Sequence, residues 1–279
     1  MKLIRFRITS SLGIALGVFI ANAAPGAGLS GSVQAGGKQL AEATVTLFAA
    51  GAAAPTKLGE TRTDENGRFT LDVGQAPSDS VLYIVAKRSG DDAARLLAVV
   101  GSMPSRTVTV NEFTTVASVW TSAQFLEGDV LSGHQLGLHI AAGNVPNFAD
   151  LETGEYGNTI QDALNSSQTP TMANFATLAN VLAGALTQAT PDAMRRFLAA
   201  ATPRNGKTPT DTLSALEGVA RDAGYKPERL FALLDAFYPV PKGKNLRPTP
   251  FMPYLTWAPS AWTLPLKFTG SERSRQDDD

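Results

Sequence analysis

The side chains that most often carry enzymatic chemistry are scarce in this sequence of 279 residues. Cysteine is absent, which excludes disulfides, thiolate metal sites and cysteine nucleophiles. The two histidines, His134 and His139, are five residues apart, whereas two ligands on one face of a helix need a spacing of four. We therefore expect structural histidines, and we expect neither a metal site nor a cofactor.

The segment Gly206-Lys207-Thr208 resembles the end of a phosphate-binding loop. That motif needs a glycine five residues before Gly206, and Ala201 occupies the position here. It also needs a strand before the loop and a helix directly after it, whereas prolines flank this segment. The sequence therefore predicts an ordinary loop and no nucleotide site.

Acidic side chains gather in two short stretches, one with Glu127 and Asp129 and the other with Asp150, Glu152 and Glu155. Paired carboxylates can serve a glycosidase, and clustered ones can bind calcium. Neither stretch has the spacing of such a site, and the G-x-S-x-G turn of a serine hydrolase does not occur. We expect solvated loops and no catalytic residue.

The proline-rich tail that begins near residue 239 carries the one binding-like feature of the sequence. Its aromatic residues Tyr254, Trp257 and Trp262 are candidate ligand-stacking residues for a sugar or a peptide. The alternative is that these rings pack over the preceding helices. Residues 250–268 hold too much apolar surface for a solvated linker, so we expect them to fold back onto the protein.

The elements that must position these residues begin with a β-rich part. From residue 29 to residue 110 the apolar residues recur with a period of two, and turn residues separate the runs. This pattern favours a β-sandwich of about seven strands. Asp64, Asn66 and Gly67 are the structural turn residues of the strongest hairpin signal, since Asn and Gly tolerate positive φ. The predicted strands lie at residues 29–33, 43–47, 68–73, 81–85, 94–100 and 106–110.

From residue 111 onward the apolar period lengthens to that of a helix. Thr109 and Glu112 match a capping box at the first helix start. Helices are predicted to begin near Asn111, His134, Met172, Pro191, Asp211 and Pro227. The expected fold class is α+β in two domains: an all-β sandwich at 28–110, and an all-helical domain at 111–238 with a tail at 239–269. The tail would include one edge strand at 262–268, and residues 270–279 would be disordered.

Residues 1–24 have the order of a secretory signal peptide. Three basic residues precede an apolar stretch of about 13 residues, which is shorter than the roughly 20 that span a bilayer. A small-x-small cleavage site, Ala21-Asn22-Ala23, follows. We expect a protein secreted or held in the periplasm or at the cell surface, with no transmembrane segment. Its 24 basic and 25 acidic residues argue against binding to nucleic acid.

Two resemblances follow from particular motifs. The stretches at residues 29–33, 43–47 and 63–71 resemble a carboxypeptidase regulatory-like domain, with its G-x-V strand, A-x-V-x-L strand and T-D-x-x-G-x-F turn. That family implies a prealbumin-like sandwich over residues 28–110. Pieces of residues 110–268 are similar to the helical region of secreted bacterial proteins of the NHL-repeat, streptogramin-lyase-like type. The resemblance does not include the propeller, so no propeller ligand or activity is carried over.

The sequence therefore indicates an exported, non-enzymatic binding or scaffold protein whose ligand is unknown. Its partner would be a protein or a polysaccharide at the cell surface. Two alternatives stay open at this point. The chain could be an accessory or cryptic carbohydrate-active enzyme component with a carboxylate site that motifs do not reveal, or the remnant of a longer propeller protein.

Overall fold

The computed structural model describes residues 28–102 and 107–268. The signal peptide at residues 1–24 and the disordered segment at residues 270–279, both expected from the sequence, lie outside these described residues. The fold is of mixed α+β class, with most strands first and the helices after them, as the sequence predicts. Its strands are β1 (Gly28–Ala35), β2 (Lys38–Gln39), β3 (Thr44–Ala50), β4 (Thr56–Arg62), β5 (Arg68–Asp72), β6 (Val81–Lys87), β7 (Arg95–Gly101), β8 (Thr107–Val110), β9 (Leu126–Glu127) and β10 (Val130–Leu131).

The first eight strands form two sheets of four. One sheet has the order β4-β3-β6-β7 and is antiparallel throughout. In the other, β1 pairs antiparallel with β2 and β5 and parallel with β8. In β5 the apolar Phe69 and Leu71 are buried and their neighbours exposed, as alternation requires of a strand with one covered face. Leu71 lies against Gly59 of β4, so the two sheets pack together.

The helices are α1 (Glu112–Ser122), α2 (Gln135–Asn144), α3 (Asn158–Gln161), α4 (Ala163–Ser166), α5 (Thr171–Leu186), α6 (Ala193–Ala200), α7 (Thr212–Arg221) and α8 (Glu228–Phe237). The longest helix, α5, is buried along nearly its whole length and lies at the centre of the helical part. It carries apolar residues at helical spacing, and small alanines let its neighbours approach closely.

Side chains of the helical part cover the edge of the first sheet. The N–H groups of Arg95, Leu97 and Val99 point outward from β7. They donate to hydroxyl oxygens of Thr212 in α7 and of Thr115 and Ser118 in α1, at 2.9–3.0 Å. An uncovered strand edge would expose these donors, so the helices complete the sheet. Buried apolar residues of both parts belong to one continuous core, and the two-domain split is not confirmed.

The start of α1 differs from the predicted capping box. Asn111 is the N-cap, because its side chain accepts from the N–H of Thr114 while the hydroxyl of Thr114 accepts from the N–H of Asn111. Thr109 instead belongs to β8, where its N–H donates to the carbonyl of Leu151. The match of Thr109 and Glu112 to the S/T-x-x-E motif was therefore coincidental, and the N-cap is Asn111, two residues after Thr109.

Candidate functional site

A row of buried polar side chains marks one face of α5. They recur at three-residue spacing in a helix that is otherwise almost wholly apolar, so they lie on one side of it. The row consists of Thr171, Asn174, Thr177 and Asn180. Buried polar groups need hydrogen-bond partners, so this face must meet something that offers them.

The partner is the chain's own C-terminal segment at residues 251–268, which we call the strap. Asn180 donates from Nδ2 to the carbonyl of Phe251 at 2.9 Å and accepts from the N–H of Phe251 at 3.0 Å. At the other end Asn165 of α4 does the same with Lys267, at 2.9 and 2.7 Å. A single side-chain amide thus pairs with both backbone groups of one residue, as a neighbouring strand would.

Three hydroxyl and amide groups hold the strap between these ends. Thr177 accepts from the N–H of Leu255 at 2.9 Å. Asn174 and Thr171 donate to the carbonyls of Thr263 and Pro265, at 3.2 and 2.7 Å.

These bonds correct the expected edge strand at residues 262–268. The described part of that segment joins no sheet, because side chains of α4 and α5 take up the backbone groups that strand partners would use. Its period-two pattern reflects an extended chain laid on helices.

The three candidate stacking residues have different positions. Trp262 is 1% exposed, and its ring N–H donates to the carbonyl of Pro227 at 3.2 Å, so it has no face for a ligand. The hydroxyl of Tyr254 accepts from the N–H of Arg247. Trp257 is 71% exposed. Trp262 therefore anchors the strap. Of the three candidate stacking residues, Trp257 has the most exposed ring.

The far end of the strap forms one wall of an open cavity, which we call the strap groove. Its volume is about 390 Å³. The strap contributes alternate side chains to it, while α1, the residues just after α1, α2 and Phe148 supply the remaining walls. It is lined by Thr121, Gln124, Gly137, Ile140, Ala141, Asn144, Phe148, Leu264, Leu266 and Phe268.

Large apolar side chains remain exposed in this groove and beside it. Phe268 is 65% exposed and Ile140 is 57% exposed, and Leu136, one turn before Ile140 on α2, is 63% exposed. Scattered single apolar residues on a surface need no explanation, but a contiguous apolar patch is typical of an interaction site. The groove is therefore the candidate functional site.

A buried carboxyl joins the sheets to the helices on another side of the molecule. Glu112 is 1% exposed, and its Oε1 accepts from the N–H of Gly36 in the β1–β2 turn at 2.6 Å. No described residue hydrogen-bonds to its Oε2. Burial raises the pKa of Glu112 to about 7, against the opposing effect of the bond from Gly36. Burial, and next the charge of Glu112, raises the pKa of the nearby Tyr238 hydroxyl.

One cavity brings acidic residues together, as a cryptic glycosidase would require. Glu127, Glu217 and Asp222 line a space of about 520 Å³, and Asp222 forms an ion pair with Arg204. Burial raises the pKa of Glu217, but its Oε2 accepts from the N–H of Gly128 and its Oε1 pairs with Arg221, at 2.7 and 2.6 Å. Both oxygens are therefore occupied, and the arrangement serves to hold α7 against the β9–β10 turn.

Of the other acidic residues weighed in the sequence, two have partners within the fold, while Glu152 and Glu155 are exposed. Asp129 pairs with Lys87 and Arg95, at 3.0 Å in each case. Asp150 accepts from the N–H groups of Glu152 and Thr153, which closes its own loop.

The two histidines lie on or next to α2. His139 contacts Ser102 and the carbonyl of Asp79, and His134 is the N-cap of α2. Within residues 28–102 and 107–268, histidine and acidic side chains do not gather into a group of three that could hold a metal ion. Gly206-Lys207-Thr208 lies in a loop between α6 and α7.

Asp64, Asn66 and Gly67 lie in one tight turn. Oδ1 of Asp64 accepts from the N–H groups of Asn66 and Arg68, and Gly67 has a φ of 70°. The flanking strands then separate: β4 pairs with β3, and β5 pairs with β1. The turn is therefore a crossing between two sheets rather than the end of a paired hairpin.

No protein-family model matches this chain, and no curated protein matches it in sequence. In the part of the chain that the structure describes, no helix has both the length and the apolar character needed to cross a membrane.

Proposed function

We propose that this chain is an exported, non-enzymatic binding or scaffold protein, and that the strap groove is its docking surface for a partner protein. The observation that carries the proposal is the exposed apolar surface of Ile140, Leu136 and Phe268 around a cavity of about 390 Å³. Interaction sites combine such apolar patches with polar rims, and Gln124 and Asn144 supply amides here.

The groove is preformed, which supports its assignment as a binding surface. Five buried polar side chains of α4 and α5 bond to the strap backbone, so the wall formed by Leu264 and Leu266 is fixed in place. A preformed surface spends less free energy on ordering when a partner binds. The β-rich part, on its resemblance to carboxypeptidase regulatory-like domains, would serve as a spacer, and the resemblance of residues 1–24 to a signal peptide supports export.

The proposal is tested with the full chain immobilised and exposed to the envelope fraction of its own cells and to a panel of polysaccharides. The double variant Leu136→Ser with Ile140→Ser removes apolar surface from the α2 side of the groove. Val240→Ser is the matched control, since Val240 is 43% exposed and lies outside the groove. We expect the control and the parent to retain the same protein. The double variant should bind that protein at least tenfold more weakly, which corresponds to about 1.4 kcal/mol of binding free energy.

Retention of the same protein by the double variant would contradict the assignment of the groove. Turnover of a polysaccharide that Glu217→Gln abolishes would instead favour the carbohydrate-active alternative. Both variants are checked for unchanged thermal unfolding before comparison.

A further inference from the structure

Over residues 263–268, the described residues bond to one edge of the strap. The other edge is bonded only at its start, where the N–H of Trp262 donates to the carbonyl of Ala223 and its carbonyl accepts from the ring N–H of Trp120. The carbonyls of Thr263, Pro265 and Lys267 accept hydrogen bonds from α4 and α5, and the N–H of Lys267 donates to Asn165. In an extended chain the N–H and C=O of one residue point to the same side, and those of the next residue point to the opposite side. The backbone groups of Leu264 and Leu266 therefore point away from these helices, and no described residue hydrogen-bonds to them.

Proline does not block this outer edge. Pro265 is the one proline of residues 262–268, and its carbonyl points to Thr171 on the helix side. Its missing N–H therefore falls on the edge that is already occupied. Natural proteins blunt exposed edges with prolines, charges or covering elements, and an edge left open is a template for another strand.

We propose that a second copy of this chain pairs with the outer edge of the strap in antiparallel orientation, so that two straps form a two-stranded sheet across a two-fold axis. This inference rests on the proposed function and names the partner that meets the strap groove. An antiparallel edge is complementary to itself, because each exposed residue offers one donor and one acceptor. With Leu266 opposite its counterpart, Leu264 lies opposite Phe268.

The charges of the two copies permit this arrangement. Lys267 is the one charged residue of residues 262–268, and in this register it lies opposite Pro265 rather than opposite its own copy. The net charge is −1 for the full sequence and −4 without the three basic residues of the expected signal peptide, which leaves little overall repulsion between two chains. On the groove face, Phe268 and Leu266 of each copy would add to the apolar surface of the other and cover a ring that is 65% exposed.

Sedimentation equilibrium of the purified full chain over a wide concentration range tests the pairing. Leu266→Pro removes the outward N–H together with the side chain, whereas Leu266→Ala removes the side chain and keeps the N–H. We expect the parent to form dimers and Leu266→Pro to raise the dimer dissociation constant at least tenfold above that of Leu266→Ala. Leu264→Pro and Leu264→Ala form a second matched pair if the first proline variant does not fold.

Equal self-association of the proline and alanine variants, whether retained or lost in both, would overturn pairing through the strap edge. A parent chain that stays monomeric at every concentration would also overturn it. The proposed function fails separately, when the variant with serine at positions 136 and 140 retains its bound protein.

Discussion

Replacing Glu112 by glutamine should make the protein more stable at neutral pH and remove a pH dependence from its unfolding. The pKa of Glu112 rises from 4.5 to about 7 because burial disfavours the charged carboxylate. The folded state therefore binds the proton more tightly than the unfolded state does. Stability from this group is fully present below pH 4.5 and is lost as the pH rises towards 7, above which it stays lost.

The magnitude follows from the difference between the two pKa values. At about 1.4 kcal/mol per pH unit, the rise corresponds to roughly 3 kcal/mol in the free energy of unfolding between acidic and neutral pH. Glutamine is neutral at every pH and keeps an oxygen that can accept from Gly36. We therefore expect Glu112→Gln to exceed the parent by up to about 3 kcal/mol at pH 8 and to match it near pH 4.

Urea unfolding from pH 4 to pH 8.5 measures this difference, and the other carboxyl groups cancel because both proteins contain them. Glu65→Gln is the matched control at an exposed turn position and should track the parent throughout. A Glu112→Gln difference that is independent of pH, or that grows towards acid, would refute the reasoning from burial.

Three further predictions concern the fold. Gly67→Val should lower the free energy of unfolding by about 1–2 kcal/mol or more, because φ is 70° there and a Cβ would lie 2.9 Å from the carbonyl oxygen of Val33; an unchanged urea midpoint would disprove it. Asn180→Ala should cost about 1–3 kcal/mol in thermal unfolding, because it leaves the N–H of Phe251 without a partner and its carbonyl with only the hydroxyl of Thr249 at 3.3 Å, and a loss below about 0.5 kcal/mol would show that water replaces the amide. Near- and far-ultraviolet circular dichroism should give one coincident unfolding transition, because α1 bonds to the edge of β7; two separated transitions would restore the two-domain interpretation.

The strands with clear alternation were predictable from the sequence, and the less regular ones were not. Phe69 and Leu71 alternate with polar residues, so β5 was placed correctly. The edge strand β4 was missed because it has no strongly buried residue and its pairing with β3 shifts register beside Leu47. Short-range periodicity detects a fully buried face, and the residues of β4 are only partly buried where they pack on the other sheet.

The strap shows what pattern reasoning finds and what it misses. The apolar content of residues 250–268 correctly predicted that this segment packs on the protein. Its partner was missed because the polar residues of α5, such as Asn174 and Asn180, look like ordinary helix residues one at a time. Their three-residue spacing in an apolar helix was the available signal. Which tryptophan is buried could not be predicted, since Trp257 and Trp262 have similar local sequences and only the contacts with α1 and α8 separate them.

The central claim, that the strap groove is a docking surface, is tested most directly by photo-crosslinking in the cells that produce the protein. A photoreactive phenylalanine analogue is placed singly at Leu136, Ile140 or Phe268, and at the controls Val130 and Val240, which are 40% and 43% exposed. We predict protein adducts at Ile140 and Phe268 in the groove and at Leu136 beside it, and none at the two controls. Adducts at the controls as strong as those at the groove, or no adduct at any groove position, would contradict the account.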